Sequence, residues 1–397
     1  MINFSRDAFF MKVAQYTDSY VPSVDGVSKV VQKYVRYLPE NGVECLVFAP
    51  KFPNASAGSA CLIRSAAFAP GFQYRLALPF ADRALAEREE SFHPDVVHAH
   101  SPFAVGQRAL HTARRFHVPL VASFHTDYRC DLSRALKNEA LVRPALRRIC
   151  AFYEQTDEVW TMNGAAEQIL RSYGYRGSVR LLPHGVERFS GGLQNGAAIL
   201  AARRAFGIDG CRLTLLFVGQ IVRQKNIEQI LRALALLKDR LDFTMYFVGK
   251  GRDREAFVRL AESLSLGSSA VFTGYLSNEL LHGMYALADL FVFPSYYDTA
   301  GLVVAEAAAA GIPSVVLRGT GAASGISDGI NGYLCENSAE SIAEAILSAQ
   351  ADREVLKRCG VAARQTLVKS WADVCAQAAA AYRVLAGAAL RQQSRKS

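Results

Sequence analysis

Short apolar runs alternate with segments of helical periodicity along most of the chain, a rhythm typical of parallel β-sheets covered by helices. In the first half the predicted strands are Lys12–Tyr16, Glu44–Phe48, Val96–His98, Leu120–Ser123 and Glu158–Thr161, and the predicted helices are Val27–Leu38, Val105–Phe116, Pro144–Thr156 and Ala165–Tyr173. In the second half the predicted strands are Leu213–Val218, Phe243–Val248, Ala270–Thr273, Leu290–Phe293 and Val315–Leu317, and the predicted helices include Ile227–Leu237, Arg254–Ser265 and Asn278–Leu287. This pattern predicts an α/β protein with two Rossmann-like, doubly wound parallel sheets.

A chain of 397 residues with two such rhythms favours two domains. We predict an N-terminal domain over residues 1–190, a second domain over 191–370, and a C-terminal helix over 371–397 that packs back across the domain junction. The polar, glycine-rich stretch 190–196 is the predicted hinge, and Trp371 is the predicted anchor of the last helix. Ligands of such sheets bind beyond the carboxyl ends of the strands, so we expect the domains to face a cleft there.

One acidic residue stands out in the apolar stretch that follows the strand Leu290–Phe293. Between Asp298 and Arg318 the only charged side chain is Glu306, on a helix that we expect Asp298 or Thr299 to cap. A carboxylate in such a setting needs hydrogen-bond donors. The vicinal hydroxyls of a ribose would supply them, and an internal arginine or a backbone amide is the alternative.

Two loops of the second half are predicted to bind anions. Gly219 permits a tight turn after the first strand, and Arg223 and Lys225 follow it near a helix N-terminus, an arrangement suited to a diphosphate. The amides of Ala300 to Val303 lie at a second helix N-terminus and can also receive an anion. Backbone groups at Gly274 and Tyr275 could contact a base. Neither half carries the dinucleotide fingerprint or a P-loop, which argues against a dehydrogenase.

Histidines follow two strands of the first half, where ligands are expected. His98 faces into a strand end, and we interpret it as a hydrogen-bonded core residue. His125 precedes Thr126 and Asp127 in a loop, and we interpret it as a functional residue that can donate a hydrogen bond to a sugar hydroxyl or a phosphate.

The net charge of +9 is carried mostly by arginine, which suits phosphate recognition or an anionic membrane surface. An aromatic loop over residues 68–80 and a basic segment with Arg134, Lys137, Arg143, Arg147 and Arg148 suit a lipid surface, and an ordinary packed loop beside a solvated helix face is an equal alternative. No nucleic-acid motif is present, so nucleic acid is the least favoured partner.

Eight scattered cysteines without paired spacing indicate reduced thiols and no zinc site. The chain shows no secretory signal and no apolar run long enough to cross a bilayer. We therefore predict a cytoplasmic protein and retain peripheral attachment to the inner face of the cell membrane as an option.

Several of these pieces occur in one order, and together they resemble a family 4 glycosyltransferase of the GT-B fold. They are Tyr20–Val27, Val96–Phe103, Ser123–Asp127, Pro183–Val186, the loop from Phe217 to Asn226, and the acidic pair Asp298 and Glu306 with seven residues between them. The region 123–160 is most similar to members that act on lipid acceptors, such as glycosyldiacylglycerol synthases.

The resemblance implies a role for each matching residue. Glu306 would bind the ribose of a nucleotide sugar, and Asp298 would contact the transferred sugar. Arg223 and Lys225 would hold the diphosphate, with Gly219 and the amides of Gly301, Leu302 and Val303 assisting. In the N-terminal, acceptor-binding domain, His125 would lie beside the reacting sugar, and the loop with Asp25, Gly26 and Val27 would approach the donor. Such enzymes retain anomeric configuration, use the nucleotide sugar as co-substrate, and need no cofactor or metal.

Two residues depart from the family pattern, which usually has Glu at Asp298 and Arg at Gln220. Our functional prediction is therefore a retaining hexosyltransferase that uses a nucleotide sugar, with UDP-glucose favoured and a diacylglycerol-type glycolipid as an acceptor. A sugar-nucleotide epimerase, a phosphorylase, and a nucleotide- or glycan-binding protein that has lost turnover remain as alternatives.

Overall fold

The structure, a computed structural model, describes residues 11–22, 25–52, 60–67, 75–187 and 196–394, with the side chains of 392 and 393 left aside. Contacts between Cα atoms divide the chain into two compact units. The first unit contains residues 1–185 together with 371–397, and the second contains residues 186–370. The predicted hinge at 190–196 lies outside the described residues except for Gly196, which begins a helix.

Seven parallel strands form the sheet of the first unit, in the order β3-β2-β1-β6-β7-β8-β9. They are β1 (Met11–Tyr16), β2 (Val43–Pro50), β3 (Ala60–Ile63), β6 (Val96–Ala99), β7 (Leu120–Phe124), β8 (Glu158–Thr161) and β9 (Val179–Leu181). A separate antiparallel pair joins β4 (Ser65–Ala67) to β5 (Arg75–Ala77). The register places Gln15 on β1 opposite His98 on β6.

Helices cover this sheet: α1 (Gly26–Tyr37), α2 (Arg83–Phe92), α3 (Ala104–Phe116), α4 (Tyr128–Leu136), α5 (Glu139–Tyr153) and α6 (Gly164–Ser172). The sequence predicted that α5 begins at Pro144, which is wrong. This helix begins at Glu139, because Asn138 is its N-cap residue and accepts a hydrogen bond from the Ala140 amide. The polar helix α2 was not predicted, because its charged residues hide the apolar stripe of Leu85 and Phe92.

The second unit contains a six-stranded parallel sheet in the order β12-β11-β10-β13-β14-β15. Its strands are β10 (Leu213–Val218), β11 (Phe243–Val248), β12 (Ala270–Gly274), β13 (Leu290–Phe293), β14 (Ser314–Leu317) and β15 (Tyr333–Cys335). Its helices are α7 (Gly196–Phe206), α8 (Ile227–Leu237), α9 (Arg254–Ser263), α10 (Asn278–Leu287), α11 (Leu302–Ala309), α12 (Ala339–Gln350) and α13 (Arg353–Leu367). The predicted two-sheet, doubly wound class is confirmed.

The last helix, α14 (Trp371–Ser394), belongs to the first unit. Its buried residues Trp371, Val374 and Tyr382 share one core cluster with Val96, Val121 and Trp160 of the sheet. Gly185 lies against Trp371 so closely that a Cβ there would meet the Trp371 backbone nitrogen at 2.6 Å. The first unit therefore closes its core with a segment that is distant in sequence.

A fully buried carboxylate ties α2 to α3 in the first unit. Glu89 accepts hydrogen bonds from Arg108, from Tyr16 Oη at 2.7 Å and from Thr112 Oγ1 at 2.9 Å. A buried charge pair needs hydrogen bonds to its remaining atoms, and Tyr16 and Thr112 supply them to the Glu89 carboxylate.

Both sheets reverse their strand order beside their first strand. In the first unit the reversal lies between β1 and β6, and in the second between β10 and β13. Loops leave such a point in opposite directions and open a crevice at the carboxyl edge of the sheet. The candidate residues follow these strands.

Candidate functional site

An ion pair joins the two loops at the strand-order reversal of the second unit. Lys225 lies in the short 3₁₀ turn after β10, and Asp298 lies in the loop after β13. The Lys225 ammonium contacts Asp298 Oδ2, and it lies 5.3 Å from the centre of the Phe293 ring. The side chains are only 13% and 24% exposed, so the pair is poorly screened by water. Two residues predicted to bind different parts of one ligand thus lie in direct contact.

Close backbone approach holds these loops in place. A Cβ on residue 249 would lie 1.9 Å from the carbonyl oxygen of Gly219, so only glycine allows the loops after β10 and β11 to meet. Gly301 has a φ of +59°, and a Cβ there would lie 2.8 Å from the Cα of Ala322. Both glycines place main-chain groups close to the crevice.

The start of α11 differs from the prediction. Neither Asp298 nor Thr299 caps this helix, because Gly301 occupies the N-cap position in the left-handed region. Its carbonyl oxygen accepts from the amides of Val304 at 2.9 Å and Ala305 at 3.1 Å. The amides of Leu302 and Val303 belong to the first turn of the helix, before the first amide that donates within it, and they lie at the positive end of the helix dipole. Asp298 is thereby released from capping and pairs with Lys225.

Glu306 accepts a hydrogen bond from a tyrosine, a partner that the sequence did not identify. Tyr285 on α10 donates from Oη to Glu306 Oε2 at 3.0 Å. Burial, and next the Glu306 charge, raise the pKa of Tyr285 well above its usual range, so the hydroxyl keeps its proton as a donor. Glu306 itself is only partly buried, on the second turn of α11.

The remaining predicted residues of the second unit lie around this centre. Arg223 is exposed, and its backbone amide donates to Asp253 Oδ2 at 3.0 Å. Gly274 ends the edge strand β12, and its carbonyl oxygen accepts from the Gly249 amide at 2.9 Å. Tyr275, directly after it, is 68% exposed. These positions stay predictions as ligand contacts.

In the first unit, Asp25 has a structural role that the sequence analysis did not assign. It is the N-cap of α1, where its carboxylate accepts from the Ser28 amide at 2.9 Å, and it also accepts from the Ser19 hydroxyl. Gly26 begins the helix and is exposed, with nothing within 4 Å of a Cβ placed there. Val27 is partly buried against Val31 and Tyr20. The cap fixes the backbone that presents Gly26.

Four imidazoles form a continuous cluster at the carboxyl edge of the first sheet. His98 Nδ1 lies 2.6 Å from Tyr382 Oη and its Nε2 lies 2.8 Å from Ser123 Oγ, which confirms it as a hydrogen-bonded core residue. His100 Nδ1 lies 3.1 Å from His125 Nε2. The His125 ring is 5.7 Å from the ring of His184, which stacks on Trp371 at 6.0 Å.

These histidines are held neutral by burial. Burial lowers the pKa of His98, His100 and His125 well below the usual range, and the charge that a neighbouring imidazole would carry lowers it further. Burial also lowers the pKa of His184 to about 4. His184 Nδ1 is buried and has no hydrogen-bond partner within the described part of the chain. The motif Pro183-His184-Gly185 was visible in the sequence, but its place beside His125 was not.

The helices α4 and α5 expose a mixed basic and apolar surface. Its basic members are Arg134, Lys137, Arg143, Arg147 and Arg148, and all five are exposed. Leu136 and Leu141, which lie among them, are 37% and 54% exposed. We call these seven residues the basic face. Of the predicted aromatic loop, residues 68–74, including Phe72 and Tyr74, lie outside the described residues, and Phe80 is exposed beside Arg108 and His111.

Two further observations concern metals and membranes. In the described ranges, no cluster of three or more His, Cys, Asp or Glu side chains is arranged to hold a metal ion. None of the helices described here combines the length and the apolar character needed to cross a bilayer.

Two family models match most of the chain. Residues 24–188 match "Glycosyltransferase Family 4", and residues 199–366 match "Glycosyl transferases group 1". The first match lies in the first unit except for its last residues, and the second lies within the second unit.

Curated relatives cover most of the chain. The sulfoquinovosyl transferase of Arabidopsis thaliana is 30% identical over 87% of this chain and 68% of its own length. A GDP-mannose-dependent alpha-mannosyltransferase of Mycolicibacterium smegmatis is 28% identical over 95% of this chain and 98% of its own length. The alpha-monoglucosyldiacylglycerol synthase of Streptococcus pneumoniae is 25% identical over 77% of this chain and 70% of its own length.

The fold also has solved neighbours. The sucrose-phosphate synthase of Thermosynechococcus elongatus superposes with a TM-score of 0.77, covering 95% of this chain and 100% of that chain. At 21% identity this likeness concerns the fold alone.

The neutral imidazoles predict a loss of stability in acid. Their pKa values are lower in the folded protein than the usual value of about 6.5, so the unfolded chain binds more protons as the pH falls through that value. The free energy of unfolding should therefore decrease below pH 6.5, by up to about 1.4 kcal/mol per pH unit for each histidine involved. Both tryptophans, Trp160 and Trp371, are buried in the first unit, so tryptophan fluorescence during urea unfolding measures this unit alone.

The exposed His111 provides the control for this experiment. His111→Asn should keep the wild-type dependence on pH, whereas His98→Asn should make it less steep, because three of the four buried imidazoles remain. A free energy of unfolding that stays constant from pH 7.5 to 5.5 would contradict the neutral cluster.

Proposed function

Because this chain belongs to glycosyltransferase family 4, we propose that it transfers a hexosyl group from a nucleotide sugar to a hydroxyl group of a lipid-type acceptor. The chain is a glycosyltransferase of the GT-B type. The observation that carries the finer proposal is the contact between Lys225 and Asp298 beside the N-terminus of α11. It brings a cation, a carboxylate and main-chain amides to one edge of one sheet.

Lys225 supplies the charge that the reaction needs. When a nucleoside diphosphate leaves, negative charge develops on its phosphate oxygens, and a fixed donor in a desolvated site stabilises it by about 3–4 kcal/mol. An ammonium has three donor hydrogens, so Lys225 can keep Asp298 as a partner and still bind a phosphate oxygen. The amides of Leu302 and Val303 and the exposed guanidinium of Arg223 add to this anion site.

Asp298 then serves two purposes. In the free protein it accepts from Lys225 and holds the ammonium in position. In the complex, its remaining oxygen sites accept hydrogen bonds from hydroxyls of the transferred sugar, because a carboxylate can accept about four. Glu306, held by Tyr285, takes the ribose hydroxyls in the same way.

The transfer proceeds with retention. The bond between the anomeric carbon and the leaving phosphate oxygen breaks while the acceptor oxygen bonds to the same face of the carbon. The proton of the acceptor hydroxyl passes to the departing phosphate oxygen, so no protein base is required. Lys225, Arg223 and the α11 amides supply positive charge at the diphosphate, and on that ground we propose that the reaction needs no metal ion.

UDP-glucose is the proposed donor, in keeping with the resemblance to glycosyldiacylglycerol synthases, one of which is a relative by sequence. GDP-mannose is the second candidate, because a relative that spans 95% of this chain is named as GDP-mannose-dependent. The shorter side chain at Asp298 is the feature that we expect to govern the sugar, since it changes the reach of the carboxylate by one methylene.

The basic face supports a role at an anionic membrane, which would bring the enzyme to a lipid acceptor. Five exposed cations lie on or directly beside the two helices, α4 and α5, whose exposed apolar residues include Leu136 and Leu141, a composition suited to interfacial binding. Each basic residue near an anionic surface contributes about 1 kcal/mol. We therefore propose peripheral attachment through α4 and α5, on the cytoplasmic side.

Donor binding tests the role of Glu306. Glu306→Gln keeps the size of the side chain but removes the charge that two ribose hydroxyls would share, so UDP and GDP should both bind at least tenfold more weakly in calorimetry. Tyr285→Phe leaves the carboxylate in place and should cost less. Wild-type affinity in Glu306→Gln would remove Glu306 from the nucleotide site.

Turnover tests the role of Lys225. Nucleotide release from UDP-glucose or GDP-mannose, measured with a diacylglycerol acceptor in the presence of EDTA, should fall about 100-fold or more in Lys225→Met. Lys357→Met removes an exposed lysine of the same unit and should keep wild-type rates. If neither donor is consumed by the wild-type protein with any acceptor, the binding-protein alternative stands. A wild-type rate in Lys225→Met would refute the diphosphate site.

Vesicle sedimentation tests the basic face. The protein should bind vesicles that contain phosphatidylglycerol, and not vesicles of phosphatidylcholine alone, with an affinity that decreases as salt increases. Arg143→Glu with Arg147→Glu should weaken binding at least tenfold. The matched control is Arg203→Glu with Arg204→Glu, on exposed positions of α7 in the second unit. Equal losses in both double variants would contradict a specific docking face.

A further inference from the structure

We infer that Gln15 and His100 are positioning residues that hold His125 as the neutral tautomer with its proton on Nε2, which makes Nδ1 a hydrogen-bond acceptor. The inference follows a chain of hydrogen bonds through the core of the first unit. It uses the proposed function for one point only, that His125 contacts a sugar hydroxyl.

The chain of bonds begins at Tyr382, whose single hydroxyl proton can be given to one partner. Tyr382 Oη lies 2.6 Å from His98 Nδ1 and 3.4 Å from Gln15 Nε2. The shorter distance is that of an O–H donor on a ring nitrogen, so Tyr382 donates to His98. His98 then carries its own proton on Nε2 and donates to Ser123 Oγ at 2.8 Å. The Tyr382 oxygen can therefore only accept a hydrogen bond from Gln15.

This sets the orientation of the Gln15 amide. Its NH₂ group must face Tyr382, and its carbonyl oxygen therefore faces His100 Nε2, at 2.7 Å. A carbonyl oxygen can only accept, so His100 carries a proton on Nε2. Gln15 is fully buried on β1, an inner strand of the sheet, so water cannot take the place of its hydrogen-bond partners.

The tautomer of His100 determines which nitrogen of His125 carries the proton. A neutral imidazole has one N–H, so His100 Nδ1 is an acceptor. His125 Nε2 lies 3.1 Å from it and must donate. The proton of His125 is thus on Nε2, and Nδ1 carries the lone pair.

The surroundings keep both imidazoles neutral at pH 7. In the described part of the chain, His98, His184 and Tyr34 make ring contacts with these two imidazoles, and Cys45 and Tyr382 contact Gln15 in the same network. Burial lowers the pKa of both of these histidines and raises the pKa of both tyrosines and the thiol, so each of these neighbours is also uncharged. The cluster contributes dipoles and no net charge.

A neutral acceptor suits the proposed transfer better than a cation. The sugar becomes positively charged as the leaving phosphate departs, and an imidazolium beside it would oppose that charge. From the sequence, we expected His125 to donate to a hydroxyl or a phosphate, and the relay reverses this role. His125 accepts from a sugar hydroxyl, so the relay selects donors that present one there.

Nuclear magnetic resonance on the full chain, labelled with ¹⁵N-histidine and free of substrate, tests the relay directly. His125→Asn identifies the His125 signals by their loss. We expect a protonated Nε2 and an unprotonated Nδ1 at pH 7.5, without titration above pH 6. A proton on Nδ1, or a protonated ring at neutral pH, would overturn the inference.

Two substitutions at Gln15 test the positioning. Gln15→Met removes the acceptor and should let His125 populate both tautomers, whereas Gln15→Asn keeps a neutral amide, one methylene shorter, and should shift the tautomers less. In turnover, Gln15→Met should lower kcat/KM about tenfold and move its acid limb, with a smaller loss in Gln15→Asn. An unchanged His125 tautomer in Gln15→Met would refute the relay. Because the spectra require no substrate, they separate a failed relay from a failed proposal of sugar transfer.

Discussion

All strands of a parallel sheet end at one edge, and this constraint decides where chemistry can occur in both units of the protein. Helices cover the faces of such sheets, so polar side chains gather in the loops beyond the carboxyl ends. Lys225 and Asp298 are 73 residues apart in the chain, yet they meet because β10 and β13 are hydrogen-bonded neighbours. For the same reason, Gln15 on β1 lies next to His98 on β6 and to His100, which directly follows β6.

The two units use this common arrangement in opposite electrostatic ways. The second unit places a charged pair and a helix N-terminus at its edge, and this combination suits a ligand that brings its own negative charge. The first unit places four neutral imidazoles at its edge and orders them by hydrogen bonds to buried polar groups. A neutral, directional set of donors and acceptors distinguishes hydroxyl positions without attracting an anion. Under the proposed function, diphosphate affinity and hydroxyl selection would therefore be separable properties of different sheets.

The sequence predicted the secondary-structure elements better than it predicted the hydrogen-bond partners of side chains. Periodicity identified β10, β11, β13, α8 and α10 with their observed bounds, because long apolar runs report burial directly. It did not identify Tyr285 as the donor to Glu306, since the partner lies 21 residues away on another helix and only packing brings the two together. The sequence predicted Asp298 or Thr299 as the cap of α11, because both residue types favour that position. The left-handed conformation of Gly301 determines the helix start instead, and no propensity scale contains that fact.

The same distinction explains why the histidines were interpreted one by one. A histidine in a strand and a histidine in a loop look different in a sequence, yet His98 and His125 belong to one network whose proton order is set by Gln15 and Tyr382. Tyr382 lies on α14, 284 residues beyond His98. The final helix thus supplies more than apolar area to the core of the first unit. It contributes the hydroxyl that gives the relay its direction, and it places Trp371 against His184 at the other end of the cluster. Loss of this helix would remove the order of the imidazoles even if the sheet itself survived.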